Sequence, residues 1–159
     1  MNLGNASMPQ SALVVEDDSG IAYLMKFLLE KEGYAVEVVS NGDLARERIH
    51  GAEGAGPVDL VVLDIMLPGT NGLILLEELR NLPEWDACPV IMLSAKSDES
   101  AMTRASTLGA SDYVSKPFDP IEFLTRVRRL RAQQDNQRAV AASAASPADS
   151  VAAGRQGGR

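Results

Sequence analysis

The chain has 159 residues, a length that suggests one domain with a sizeable core and room for a tail. Its formal net charge of −7 argues against nucleic-acid binding, which depends mainly on Lys and Arg to neutralise phosphates. Cys88 and His50 are the only residues of their kinds, so a disulfide, a cysteine-based zinc site and the usual Ser-His or Cys-His catalytic pairs are not expected. No apolar run approaches the ~20 residues that span a bilayer, so we expect a cytoplasmic protein without membrane association.

The first half of the chain predicts two strand–helix units. Ala12–Val15 is a continuous apolar run, typical of a strand buried on both faces of a parallel sheet. A helix follows with Ser19 as its N-cap. Its apolar positions are Ile21, Leu24, Phe27 and Leu28. Ala35–Val39 then predicts a second strand, and Asp43–His50 predicts a second helix.

The second half predicts three further units. The expected strands are Val58–Leu63, Val90–Leu93 and Asp112–Ser115. The expected helices are Gly72–Arg80, Glu99–Leu108 and Pro120–Arg131. The buried stripe of the last helix is predicted to be Ile121, Leu124, Val127 and Leu130. Five alternations of strand and helix indicate the α/β class, with a doubly wound parallel sheet and helices on both of its faces.

The composition predicts three segments along the chain. Residues 1–10 are expected to be a flexible N-terminus, and residues 11–131 a folded domain. Residues 132–159 are rich in Ala, Ser, Gly and Gln and are expected to be disordered, because they carry few apolar side chains for a core.

Polar side chains stand at the ends of four of the predicted strands. Glu16 and Asp17 follow the first strand, Asp64 the third, Ser94 the fourth and Lys116 the fifth. Ligands of doubly wound sheets bind beyond the carboxyl ends of the strands, so these residues are the candidate site. Taken singly, each has an ordinary explanation as a helix cap, turn former or surface charge. Jointly, the carboxylates favour a hard cation such as Mg²⁺, which together with the lysine can stabilise added negative charge.

Five ordered segments resemble the receiver domain of two-component response regulators. They are Leu13–Asp18, Leu63–Gly69, Asn71–Gly72, Met92–Ala95 and Asp112–Phe118. The resemblance covers roughly Ala12 to Arg131 and is nearest to receivers of the winged-helix transcription-factor class. It implies a flavodoxin-like, five-stranded sheet with strand order 2-1-3-4-5.

The resemblance also implies a magnesium-dependent switch rather than a self-sufficient enzyme, with slow self-dephosphorylation at most. Asp64 would accept a phosphoryl group from a phosphohistidine on a histidine kinase or phosphotransfer protein. The implied Mg²⁺ site consists of the carboxylates of Asp17 and Asp64, the backbone carbonyl of Met66 and, through water, Glu16. Lys116 would pair with phosphoryl oxygens and Ser94 would donate a hydrogen bond to one of them.

A conformational readout is part of the same resemblance. Tyr113 would turn inward when Ser94 moves, and the bond between Lys116 and Pro117 would be cis. The readout surface would consist of the fourth helix, fifth strand and fifth helix, acting on a downstream protein or through self-dimerisation. Ser111 and Met102 stand where that dimer usually has charged residues, and Met66 and Lys96 flank the phosphoryl position. No recognisable output module follows Arg131, so protein–protein contact is the expected output.

Three other functions remain open on the sequence alone. A flavodoxin-like nucleotide or flavin module would present hydroxyls and amides after the first strand, where this chain has Glu16, Asp17 and Asp18. A phosphatase of the haloacid dehalogenase type needs two aspartates spaced two residues apart after a single strand, which this acidic run does not provide. A pseudo-receiver would bind partners without phosphorylation, and the complete acidic, hydroxyl and lysine set argues against it.

Overall fold

Strands and helices alternate throughout the computed structural model, which describes residues 9–51, 56–95 and 98–145. The strands are β1 (Gln10–Val15), β2 (Tyr34–Val39), β3 (Leu60–Asp64), β4 (Val90–Ala95) and β5 (Asp112–Lys116). The helices are α1 (Ser19–Lys31), α2 (Gly42–His50), α3 (Gly72–Asn81), α4 (Glu99–Thr107) and α5 (Pro120–Ala145).

The strands form one parallel sheet in the order β2-β1-β3-β4-β5, which confirms the predicted fold class. Val15 of β1 pairs with Leu63 of β3, and Ala95 of β4 pairs with Lys116 of β5. Since parallel neighbours run in the same direction, the residues that end these strands gather at one edge of the sheet. This register places the residues of the candidate site side by side.

Helices cover the sheet on both faces. Leu13 and Val15 of β1 belong to a buried cluster that includes Ala45 of α2 and Leu76 of α3. Helix α1 contacts β1 and β2, yet none of its buried residues belongs to this cluster, so it covers the opposite face. Burial on both faces explains why the central strands read as uninterrupted apolar runs.

A side-chain cap begins each of the first four helices. The capping residues are Asp18, Asn41, Asn71 and Asp98. The prediction of Ser19 as the cap of α1 is wrong by one position, because Ser19 is the first helical residue. Asp18 has an extended backbone and its Oδ1 accepts a hydrogen bond from the amide of Ile21 at 3.0 Å. Asp and Ser are equally good N-caps, so residue type alone did not separate them.

The buried stripe of α1 differs from the predicted one. Leu28 is buried as predicted, but Leu24 is 37% exposed and Phe27 is 45% exposed. The buried residues are Ala22, Met25, Leu28 and Leu29. Both rows have helical spacing, and the row that includes the small Ala22 faces the sheet. The spacing of apolar residues along a helix does not show which of two adjacent apolar rows is buried.

The start of α5 shows the same kind of difference. Ile121 is 76% exposed, which contradicts its predicted burial, and Phe123 is fully buried instead. The ring of Phe123 lies 5.6 Å from that of Phe118, centroid to centroid. The predicted burial of Val127 and Leu130 is confirmed. Phe123 is therefore buried in the core, where the spacing had predicted Ile121.

Helix α5 continues to Ala145, so the prediction that it ends at Arg131 is wrong. Ala and Gln make up most of this continuation, and both have high helix propensity even where few apolar side chains are present. Residues 146–159 of the expected tail and residues 1–8 of the expected N-terminal segment lie outside the described residues. The described residues up to Arg126 form one compact unit, and those from Val127 onward form a second. Among the described helices, none combines the length and apolar character required to cross a membrane.

Candidate functional site

Three carboxylates meet where β1 and β3 end. Glu16 and Asp17 directly follow β1, and Asp64 is the last residue of β3. One ligand oxygen from each of the three lies within 4.8 Å of the others. Glu16 and Asp64 are buried, with 1% and 3% of their surfaces exposed, whereas Asp17 is exposed. The predicted acidic cluster therefore exists and opens to solvent on the side of Asp17.

Lys116, the last residue of the edge strand β5, also reaches this cluster. Its Nζ donates hydrogen bonds to Glu16 Oε1 at 2.6 Å and to Asp64 Oδ2 at 2.7 Å. Burial by itself lowers the pKa of Lys116, but the hydrogen bonds and charges of Asp64 and Glu16 outweigh it, so the pKa is raised. Lys116 is consequently charged at neutral pH, a fixed cation beside two buried carboxylates.

Glu16 is the least satisfied member of the cluster. Burial, followed by its interaction with Asp64, raises the pKa of Glu16 to about 8 against the opposing effect of Lys116. Its Oε2 is buried and has no hydrogen-bond partner, although a buried polar atom of this kind normally has one. A carboxylate oxygen left in this state is suited to a cation.

The donor set fits Mg²⁺. The cluster offers only oxygen ligands, and Mg²⁺ is commonly bound by one or two carboxylates with water and phosphate oxygens completing its coordination. The unpaired Oε2 of Glu16 and the exposed carboxylate of Asp17 supply acceptors that the described protein groups leave unused. A bound dication would also relieve the repulsion among the three carboxylates.

The loop between β3 and α3 surrounds Asp64 closely. The backbone amide of Met66 donates to Asp64 Oδ1 at 3.1 Å, and the Met66 side chain is 68% exposed. A Cβ atom on Gly72 would lie 2.1 Å from the carbonyl oxygen of Asp64, so only glycine permits this approach. Asn71 accepts a hydrogen bond from the amide of Leu73 at 2.8 Å and so caps α3. Lys96, which was expected to flank the phosphoryl position, lies outside the described residues.

Ser94 and Tyr113 occupy the strands that the sequence predicted, but within the described residues neither side chain forms a hydrogen bond with the carboxylates. Ser94 is 3% exposed, and its hydroxyl donates to the carbonyl of Ala95 at 3.2 Å. Tyr113 is 39% exposed and lines a groove of about 520 Å³ along α4. The groove is lined by Glu99, Met102, Thr103, Ser106, Thr107 and Tyr113. The bond between Lys116 and Pro117 is cis, which confirms that prediction.

Two further residues hold the site from outside, and the sequence did not single them out. Asp43, in the first turn of α2, accepts two hydrogen bonds from Thr70 in the β3–α3 loop. These residues are 27 positions apart, and an aspartate in a first helical turn is so common that no local signal marks it. Only the folded structure shows that they meet.

Comparisons with known proteins identify the family of this chain. Residues 12–128 match the family described as "Response regulator receiver domain". The phosphate regulon transcriptional regulatory protein PhoB of Rhizobium meliloti (strain 1021) is 40% identical over 74% of this chain and 50% of its own length. The transcriptional regulatory protein ResD of Bacillus subtilis (strain 168) is 41% identical over 74% of this chain and 46% of its own length. The chain thus spans about half the length of these curated relatives.

Solved structures give the same result. The receiver domain of the Francisella response regulator 1452 superposes with a TM-score of 0.67 at 31% identity, covering 79% of this chain and 98% of that one. The sheet order, the acidic cluster with its lysine and the sequence match over residues 12–128 lead to one conclusion. The chain belongs to the family of response regulator receiver domains of two-component systems.

Proposed function

We propose that this chain is phosphorylated on Asp64 by a histidine kinase or phosphotransfer protein in a Mg²⁺-dependent reaction. The observation that carries the proposal is the bridge from Lys116 Nζ to Asp64 Oδ2, at 2.7 Å, beside the unpaired carboxylate oxygen of Glu16. A phosphoacceptor needs a positioned carboxylate with positive charge close by. In this site the ammonium of Lys116 already lies beside Asp64 and Glu16, and the unpaired Oε2 of Glu16 and the carboxylate of Asp17 fit a second cation.

Each side chain has a distinct part in the transfer. One carboxylate oxygen of Asp64 attacks the phosphorus atom, while the P–N bond to the donor imidazole breaks and its electron pair returns to nitrogen. Lys116 stays charged and balances the negative charge that moves onto Asp64. Ser94, one residue beyond the β4 partner of Asp64, has a hydroxyl that can turn from Ala95 toward the new group. Phosphoryl transfer depends chiefly on such positioning and charge neutralisation.

The proposed Mg²⁺ ligands are the three carboxylates and a backbone carbonyl. Glu16, Asp17 and Asp64 would hold the ion, with the carbonyl of Met66 as a fourth protein ligand. A cation held by these residues would supply positive charge for the transferred phosphoryl oxygens. Its charge would also lower the raised pKa of Glu16 and so favour the ionised carboxylate. Slow loss of the phosphoryl group to water is the only further reaction that we propose.

The proposed output surface lies on α4, β5 and the start of α5. Tyr113 is exposed there beside the α4 groove, in a position from which it can turn when Ser94 moves. Arg126 Nη1 lies 2.6 Å from Asp112 Oδ1, and Arg126 Nη2 lies 3.0 Å from Glu122 Oε1. The guanidinium of Arg126 on this surface is thus already paired within the chain. This favours a downstream protein as the partner, with self-dimerisation as the alternative and the cytoplasm as the expected compartment.

A small phosphodonor tests the central claim without the cognate kinase. Acetyl phosphate with Mg²⁺ is expected to add one phosphoryl group, seen by intact mass, to the wild type and none to Asp64→Ala. Asp119→Ala is the matched control, because Asp119 is an aspartate outside the acidic cluster. If the wild type stays unmodified with ample Mg²⁺, the chain is a pseudo-receiver that binds partners without phosphorylation.

The output claim has its own experiment. Light scattering coupled to size-exclusion chromatography compares the chain with and without beryllofluoride, a phosphoryl mimic. An unchanged mass supports output through a different protein. A doubling of the mass, abolished by Tyr113→Asp, assigns the output to a second copy bound at this surface.

A further inference from the structure

The loop that follows Asp64 is fastened at both of its ends. Near β3, the amide of Ile65 donates to the carbonyl of Leu93 at 3.0 Å, and the amide of Gly72 donates to the carbonyl of Ile65 at 2.9 Å. Its outer part, by contrast, is held by α2, a helix that contributes no residue to the acidic cluster. The position of the loop therefore depends on a contact outside the site.

The outer contact is made by a carboxylate. Asp43 Oδ1 accepts a hydrogen bond from the backbone amide of Thr70 at 3.1 Å and a second one from the Thr70 hydroxyl at 2.7 Å. The amide of Gly42 donates to the carbonyl of Pro68 at 2.9 Å, so backbone and side chain act together. Three hydrogen bonds thus join the first turn of α2 to two residues of the loop, Pro68 and Thr70.

Two glycines make the approach possible, which shows how closely the two segments are packed. A Cβ atom on Gly42 would lie 1.8 Å from the carbonyl oxygen of Thr70. A Cβ atom on Gly69, whose φ is 78°, would lie 2.6 Å from Asp43 Oδ2. Neither position tolerates a side chain without displacing its neighbour. The first turn of α2 and the loop are therefore packed closely against each other.

We propose that Asp43 and Thr70 are positioning residues for the Mg²⁺ site, acting through the loop that carries Met66. This inference rests on the proposed function, in which the Met66 carbonyl is a metal ligand. Mg²⁺ requires nearly ideal octahedral geometry at 2.0–2.1 Å, so a small displacement of one ligand weakens binding. Partners that only orient a metal ligand commonly change metal affinity by about 10–100-fold when removed. The Asp43–Thr70 pair would orient Met66 in this way, because it holds the loop that carries Met66.

We expect removal of these hydrogen bonds to reduce the affinity for Mg²⁺ more than it reduces the stability of the fold. Thr70→Val keeps the shape and the backbone amide but removes the hydroxyl, and we expect it to weaken Mg²⁺ binding by about tenfold. Thr70→Ser keeps the hydroxyl and is expected to bind as the wild type does. Asp43→Ala removes the common acceptor, so the double variant Asp43→Ala/Thr70→Val should be no worse than Asp43→Ala alone.

Isothermal titration calorimetry with MgCl₂ measures the affinity without any phosphorylation step. Thr125→Val is the matched control, because the Thr125 hydroxyl donates within its own helix, to the carbonyl of Ile121 at 2.8 Å. Urea unfolding followed by Trp85 fluorescence, run on the same variants, shows that each is folded. Weaker binding in Thr70→Val and Asp43→Ala, with Thr70→Ser and Thr125→Val unchanged, is the expected result.

Two outcomes would overturn the inference. Wild-type affinity in Asp43→Ala would show that the loop keeps its position without the carboxylate. Weakening in Thr70→Ser as large as that in Thr70→Val would show that loss of the hydroxyl hydrogen bond does not account for the effect. Both are distinct from failure of the proposed function, which would appear as a wild-type chain that binds no Mg²⁺ and accepts no phosphoryl group.

Discussion

The ammonium of Lys116 lies 2.7 Å from Asp64 Oδ2, although 52 residues separate the two in the chain. The same ammonium lies 2.6 Å from Glu16 Oε1. The three groups lie at the ends of β5, β3 and β1, and the parallel register alone brings them together. A single side-chain cation therefore links the two buried acidic residues of the cluster.

Lys116→Met is expected to slow the phosphorylation of Asp64 by about 10²-fold or more, because one preorganised charge-stabilising donor typically contributes this much. The measurement is the time course of intact mass with acetyl phosphate and Mg²⁺. Lys26→Met is the control, since Lys26 is 47% exposed and lies 3.9 Å from Glu30 on α1. A rate within twofold of wild type in Lys116→Met would remove Lys116 from the transfer.

The site could be predicted because its residues lie at topologically fixed places. A doubly wound sheet brings the carboxyl ends of its strands together, so Glu16, Asp17, Asp64 and Lys116 needed only the right strand assignments to be placed as neighbours. Those assignments came from long apolar runs, which are the strongest signal for buried parallel strands. Errors of one or two residues at strand ends do not change which residues meet.

What could not be predicted depends on side-chain direction and on loops. The spacing of Ile121 and Leu124 fits a buried stripe, yet burial falls on Phe123, one row away, because the larger ring fills the core beside Phe118. The pairing of Asp43 with Thr70 joins two turns whose relative position follows only from the packed fold. Periodicity describes one element at a time, so contacts between loops lie beyond it.

Mg²⁺ is expected to raise the free energy of unfolding of the chain, because the proposed site exists only in the folded state. At a concentration one hundred times its Kd, the gain is about 2.7 kcal/mol. Urea unfolding followed by Trp85, the only tryptophan and a buried one, measures it. Asp17→Asn should lose most of the gain. NaCl at matched ionic strength is the control, and an equal gain with NaCl would show that screening, not binding, is responsible.

The thiol of Cys88 is expected to resist alkylation while the chain is folded. Burial raises the pKa of Cys88 to about 12 from an ordinary value of 9.0, so the folded chain keeps the thiol protonated. Iodoacetamide at pH 9 should react slowly with the native chain and rapidly in urea, as followed by intact mass. Rapid reaction of the native chain would mean that the segment around Cys88 opens often.

The same shift predicts a dependence of stability on pH. Because the folded pKa of Cys88 lies above the unfolded one, its contribution is fully present below pH 9 and is lost as the pH rises toward 12. At pH 10 the loss is about 1.4 kcal/mol, one pKa unit of differential protonation. Urea unfolding at pH 8 and pH 10 should show this loss in the wild type but not in Cys88→Ala, and equal losses in both would contradict it.

Arg80 is expected to be the most important charged residue for stability on the edge of the sheet away from the site. Its guanidinium, at the end of α3, donates to the carbonyl oxygens of Gly109 at 2.9 Å, Asp86 at 3.0 Å and Cys88 at 2.8 Å. The guanidinium is itself partly buried, and this burial is the main cause that lowers the pKa of Arg80. Replacing Arg80 leaves these three carbonyls, of which that of Cys88 is partly buried, without this donor. Arg80→Met should therefore reduce the free energy of unfolding by about 3 kcal/mol.

The matched control for Arg80→Met is Arg46→Met. Arg46 pairs with Glu78 from a side chain that is 55% exposed, and exposed ion pairs contribute about 1 kcal/mol or less. Urea unfolding measures the stability of both variants. The phosphorylation rate of Arg80→Met with acetyl phosphate should stay near that of wild type. In the described structure Arg80 forms no hydrogen bond with a residue of the acidic cluster. Equal stability losses in the two variants would show that the carbonyl contacts of Arg80 are worth no more than a surface ion pair.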